Sequence, residues 1–350
     1  MVTDRRALYR LICEQEQKKQ SSSARNWREY NAGLVERGSL TVWLDESALS
    51  GWCEVEKSGG RGASLTYSAT AIQAILLLKA VYHLPLRAAQ GFATSVLRLM
   101  GLTLPVPHFS TLSRRQIGLE LTLPLARRRN NEALHLVVDS TGCKVYGEGE
   151  WKVRVHGKSK RRTWRKLHLG VDEQSGEIRA VVLSSNNVSD GEVLPMLLAQ
   201  VEEPLAQLSG DGAYDQRLCY EALHQRELHQ RELHQQRKEA EPALKVTIPP
   251  RRGARIWQHG NRKQERLRKQ ERLARDENLR EIRRVGRKKW KEQSGYHRRS
   301  LAETTMSRYK RMVGEKLQAR DFQRQSTEAF IGVLMLNRMT ALAMPQKYIV

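Results

Sequence analysis

The apolar positions of the chain change period near residue 134, and the change divides it in two. From 27 to about 115 they recur at helical spacing. ATAIQAILLLKAVYHL carries one such run, and PLRAAQGFATSVLRLMGL follows it behind a proline start. PVPHFSTLSRR then offers a turn, a serine suited to an N-cap, and the paired Arg114 and Arg115. Short helices ending in a basic, capped segment suit a helix-turn-helix-like DNA-binding unit; an ordinary helical subdomain with an arginine pair on its surface suits the same spacing. Residues 1–26 are polar, end in QSSSARN, and are expected to form a frayed leader.

Beyond 130 the period shortens toward two. LHLVVDSTG predicts a buried strand ending at Asp139 and a turn, and EWKVRVHG a shorter strand. WRKLHLGVDEQSGEIRAVVLSS predicts a hairpin. SDGEVLPMLLAQV opens on a capping box, Ser189 and Glu192, and continues as a helix. PLAQLSGDGAYD predicts a strand ending at Asp211, with a helix from about Asp215; LKVTIPP is a further short strand. A helix over 295–310 and a last one over AFIGVLMLNRMTALAM complete the order. Strands alternating with helices in this way predict an α/β fold.

Length allows two domains, or one large domain with additions: the chain has 350 residues. Charge points to a polyanion. Lys and Arg total 61 against 38 Asp and Glu, a net of +23, and nucleic acid is the commonest partner of such an excess. Residues 251–300 concentrate it, with 19 basic against 6 acidic side chains. No strongly amphipathic helix of the membrane-surface kind is evident, and the apolar runs are too short and interrupted to span a bilayer. Four cysteines lie far apart without CxxC spacing, which predicts reduced thiols and a cytoplasmic protein. HQREL is duplicated at 224–233 and RKQERL at 262–273; both read as added polar helix and carry no chemistry.

The candidate chemistry lies in three acids. Asp139 and Asp211 follow predicted strands, and Glu303 falls in GYHRRSLAETTMSRYK. On one continuous helix, Tyr296, Arg299, Glu303 and Lys310 would point at roughly 0°, −60°, −20° and −40°, a single face. A basic helical face with an internal salt bridge accounts for the pattern equally. Asp139 and Asp211 have plain alternatives too, as an Asx-turn residue and a turn former. Asp172, Asp190 and Asp215 suit a hairpin turn, a position after a cap and an N-cap. Three carboxylates gathered at neighbouring strand ends would bind hard divalent cations through oxygen. Two such ions, about 3.5–4 Å apart, support phosphodiester chemistry. Arg299 and Lys310 would then hold phosphates, and Tyr296 would stack on a base or touch the backbone.

These residues resemble the IS5-family (IS4/IS5 superfamily) bacterial insertion-sequence transposases. VVDSTG and GDGAYD carry two aspartates of an Asp-Asp-Glu triad, and Tyr296, Arg299, Glu303 and Lys310 match the Tyr-x2-Arg-x3-Glu-x6-Lys signature without a gap. RGSLTVWLDESALSGW, RRTWRKLHLGVD and NRMTAL are similar to family segments as well. The resemblance implies an RNase H-like core, a mixed five-stranded sheet flanked by helices, over 130–345. It also implies a helical DNA-binding region over 27–115 and a basic insertion at about 251–293, before the last catalytic helix. Asp139, Asp211 and Glu303 would coordinate two Mg²⁺, with Mn²⁺ able to substitute. Tyr296, Arg299 and Lys310 would engage transposon-end DNA, with Arg114 and Arg115 as further contacts. The implied partners are terminal inverted repeats and target DNA, held by a homodimer on paired ends at the bacterial nucleoid. The rivals are a transposase-derived repressor without catalysis and another RNase H-like nuclease.

Overall fold

The computed structural model describes residues 26–44, 46–54, 66–123, 133–146, 163–237, 244–257 and 274–344. All of the expected leader over 1–26 except Asn26, the EWKVRVHG strand and the second duplication lie outside them.

Helices α1 (Trp27–Glu36), α2 (Leu40–Trp43), α3 (Glu46–Ser50), α4 (Ala69–Val81), α5 (Leu86–Leu99) and α6 (Phe109–Arg115) form the N-terminal part. Strands β1 (Leu134–Tyr146), β2 (Thr163–Asp172) and β3 (Ile178–Ser185) lead to α7 (Asp190–Leu198), β4 (Leu205–Ser209) and a 3₁₀ turn at Gly212–Tyr214. Then come α8 (Arg217–Arg237), β5 (Lys245–Thr247), α9 (Ala274–Val285) and α10 (Arg287–Ser294). A second 3₁₀ turn (Tyr296–Arg299) runs into α11 (Ser300–Met312), and α12 (Phe322–Leu342) ends the described chain.

The five strands lie in the order β3-β2-β1-β4-β5. β1 pairs antiparallel with β2 and β2 with β3, whereas β4 and β5 add in parallel. This is a mixed α/β sheet consistent with an RNase H-like core. Its pattern follows from the pleat: Leu134, Leu136 and Val138 of β1 face Leu194, Leu197 and Tyr220 of α7 and α8. Cys143, Leu167 and Leu169 face Met306, Tyr309 and Val333 of α11 and α12. The capping box at Ser189 and Glu192 is formed as expected.

α12 serves two cores. Val333 and Leu336 pack toward the sheet, while Ile331, Leu334, Met335 and Met339 pack against α4 and its neighbours. This helix therefore binds the N-terminal helices into the fold, with Met312 and Val313 at the end of α11 also packed against both cores. Asn337 fixes α12 to the sheet edge, accepting the Ile178 N–H and donating to the Ile178 carbonyl at 2.8 Å each. Gly332 lets α11 approach: a Cβ there would stand 2.7 Å from Val313 and 2.9 Å from the Tyr309 hydroxyl.

Four expectations change. β1 does not stop at Asp139; its antiparallel pairing with β2 carries it on to Tyr146. The 295–310 segment is not one helix, because Gly295 at φ 75° ends α10 and a 3₁₀ turn precedes α11. The residue capping α6 is His108, whose ring accepts the Ser110 N–H, in place of a serine. Asp215 does not serve as an exposed cap: it is buried, paired with Arg275 at 2.7 Å, and accepts the Arg251 N–H. Cys53, Cys143 and Cys219 are free thiols. Among the described residues no single helix is long and apolar enough to cross a membrane. α4 and α5 together pass on composition, but they bend by 109° and α4 is buried in the core.

Candidate active site

Two adjacent parallel strands set the first two acids at one depth. The β1·β4 pairing ends at Val137 opposite Ser209. Asp139 and Asp211 each stand two residues beyond that last pair, on the same edge of the sheet. Below them, His135 Nε2 and Ser209 Oγ meet at 2.8 Å and lock the strands together.

Asp139 sits within β1, its Oδ1 accepting the Ser140 N–H at 2.8 Å. Asp211 accepts the Ala213 N–H at 2.8 Å and caps the 3₁₀ turn. Its turn-forming alternative is thus realised alongside its place at the strand end. Gln207 ties β4 to β5 and to the end of α10, donating to Thr247 Oγ1 at 2.8 Å and to the Ser294 carbonyl at 3.3 Å. Thus α10 ends beside β4 and β5, and the signature segment begins there.

α11 carries Glu303 and Lys310 along the cleft. Ala302, Thr305, Met306 and Tyr309 are buried on its inner face, and the segment after it is stitched to β1. Lys144 N–H donates to the Glu315 carbonyl at 2.8 Å, and Leu317 N–H to the Lys144 carbonyl at 2.7 Å. The open cleft between α11 and β1 has a volume of about 540 Å³ and is lined by Asp139, Ser140, Thr141, Glu303, Lys310 and Arg311, among others.

Arg299 joins two of the acids. Its Nη1 lies 3.2 Å from Asp139 Oδ2, and its Nη2 pairs with Glu303 Oε1. The 3₁₀ turn alters the helical register but keeps this i,i+4 contact. Its guanidinium also stands 5.6 Å from the Tyr296 ring centroid, and Lys291 approaches the same ring at 4.8 Å. Burial pushes the Asp139 carboxyl up to about 6; Arg299 opposes this, while Asp211 and Glu303 add to it. Burial likewise raises the Tyr296 hydroxyl.

The donor set is all carboxylate oxygen, a chemistry that fits a hard divalent cation. Among the described residues, however, no group of three or more His, Cys, Asp or Glu side chains stands at metal-holding spacing. Arg299 spans the gap between Asp139 and Glu303 instead. Arg114 is exposed and Arg115 donates to the Tyr67 carbonyl at 2.9 Å, both on α6, which packs in the N-terminal core.

One cluster was hidden from the sequence. Asp190 accepts from Ser140 Oγ at 3.0 Å, with Lys166 at 3.4 Å and His168 Nδ1 at 3.7 Å. It braces β1 beside Asp139 from the opposite face of the sheet. Nothing in the local pattern reveals this, because the partners are 22 to 50 residues away.

Two family models, both described as a transposase DDE domain, match this chain, over residues 35–148 and 130–338. The second covers the sheet, both aspartates, the glutamate and most of α12. The chain belongs to the DDE-domain transposase family.

Proposed function

We propose that the protein is the DNA transposase of an insertion sequence of the IS5 family, with Asp139, Asp211 and Glu303 as its catalytic acids. Family membership already implies a DNA substrate and dependence on a divalent metal ion. The observation that carries the rest is the equal depth of Asp139 and Asp211 beyond the last β1·β4 pair, with Glu303 facing the same cleft.

In this reading the three carboxylates would hold two Mg²⁺, or Mn²⁺ in their place, which would supply activation of the attacking oxygen and stabilisation of the leaving one. Water attacks a phosphodiester at the terminal inverted repeat, and the bond to the 3′ oxygen breaks. The freed 3′-OH then attacks a phosphodiester of target DNA, displacing its bridging oxygen and joining the strands. Lys310 holds a phosphate in the cleft as a point charge, and Tyr296 offers a ring to a base or the backbone. The N-terminal region, with Arg114, and the basic segment before α11 supply salt-sensitive phosphate contacts. A homodimer pairs two ends, and the bacterial nucleoid is the place of action.

The test is a gel assay on labelled DNA carrying the repeats that flank the gene, with wild type and Glu303→Gln, in Mg²⁺ and in EDTA. Metal-dependent nicking at the repeat boundary, absent in the variant, is expected. Tight binding with no cut under any metal would make the protein a repressor. Cutting without joining of the 3′-OH to a second DNA would make it a nuclease.

A further inference from the structure

We propose that Arg299 is a latch on the catalytic carboxylates: in the DNA-free protein its guanidinium stands where a divalent ion would bridge Asp139 and Glu303, and a DNA phosphate must draw it away before the ion is held there. This rests on the transposase reading above, and its test separates the two.

Asp139 has two oxygens. Oδ1 is engaged by the Ser140 N–H at 2.8 Å, and Oδ2 is the one that Arg299 takes at 3.2 Å. The other arm of the same guanidinium holds Glu303 Oε1. One fork thus occupies an oxygen from each of two acids on different elements, β1 and α11. An ion bridging those oxygens has to displace it. Among the described residues no group of three or more His, Cys, Asp or Glu side chains is placed to hold a metal ion.

A fixed strut would be buried and closed off. The Arg299 side chain is instead 20% exposed and Glu303 is 54% exposed, so a phosphate can reach the fork. Phosphate accepts two parallel N–H bonds from a guanidinium as a carboxylate does. The Tyr296 ring, 5.6 Å from the guanidinium, gives it an aromatic surface to slide on. Phosphate and carboxylates then compete for one guanidinium, while guanidinium and ion compete for the same carboxylates. DNA and metal must therefore strengthen each other's binding, by the same factor in both directions. The latch keeps a transposase poorly loaded with metal until DNA is in place.

The experiment measures Mn²⁺ affinity of the full chain from the paramagnetic resonance signal of the free ion, with and without a short DNA duplex. Wild type should bind weakly alone and about tenfold more tightly with duplex, within the usual range of coupling. Arg299→Gln should bind about tenfold more tightly than wild type without DNA and gain little from duplex. Arg299→Lys, whose ammonium reaches one carboxylate at a time, should fall between them, and it serves if the Gln variant unfolds. Asp139→Asn should lose the ion. If both Arg299 variants bind Mn²⁺ no better than wild type while Asp139→Asn still loses it, the latch is wrong and the metal site stands. If Asp139→Asn leaves Mn²⁺ binding unchanged, the metal reading fails and the latch with it.

Discussion

Asp139→Asn should abolish DNA cleavage and, in EDTA, make the protein more stable at neutral pH. The Asp139 carboxyl is raised from an ordinary 3.8 to about 6, first by burial, with Arg299 opposing. A group whose folded pKa is raised stabilises the fold below its unfolded pKa and loses that contribution as pH rises through the folded one. The gap between 3.8 and about 6, at 1.36 kcal/mol per pH unit, amounts to about 3 kcal/mol disfavouring the ionised fold above pH 6. Asparagine keeps the acceptor for the Ser140 N–H and removes the charge, but it leaves Arg299 one partner short. The expected gain is therefore about 1–3 kcal/mol at pH 7.5, closing toward pH 4. Urea unfolding of both proteins at several pH values measures it. Adding Mg²⁺ should narrow the difference, since only the wild type gains RT ln(1 + [L]/Kd), about 2.7 kcal/mol at a hundredfold excess over Kd. A variant less stable than wild type at pH 7.5, or a difference indifferent to pH, would refute the reasoning and mark Asp139 as a structural residue.

Three further outcomes are expected. Lys310→Ala should weaken binding to DNA of any sequence and reduce the salt slope of log K by about one; an unchanged slope would show that Lys310 meets no phosphate. Arg275→Met should cost about 3–5 kcal/mol in urea unfolding, because it strands the buried Asp215 carboxylate; a loss under about 1 kcal/mol would mean that Asp215 finds water or another donor. His168 is buried, its imidazole lowered to about 4 by burial and by Lys166, with Asp190 opposing. Its neutral form is therefore favoured in the fold, and stability should fall as pH drops from about 6.5 toward 4. His168→Gln should flatten that limb of the denaturation profile, and an unaltered limb would assign it to other groups.

What the sequence determined by itself is local and periodic. The strands that begin at Leu134, Leu205 and Lys245, the hairpin, the capping box at Ser189 and the apolar α12 were legible because pleat, helical turn and cap chemistry act within a few residues. The two aspartates and the signature segment were legible as candidates for the same reason. Tertiary structure decided the rest. That β1 runs through Asp139 follows from β2, whose antiparallel partners extend to Tyr146. That the signature breaks into a 3₁₀ turn and a helix follows from Gly295 and the tie of Ser294 to Gln207. The burial of Asp215 against Arg275 joins residues 60 positions apart, and the contact of Arg299 with Asp139 spans 160. Spacing along the chain cannot report such contacts, because they exist only once the sheet and the helices around it have packed together.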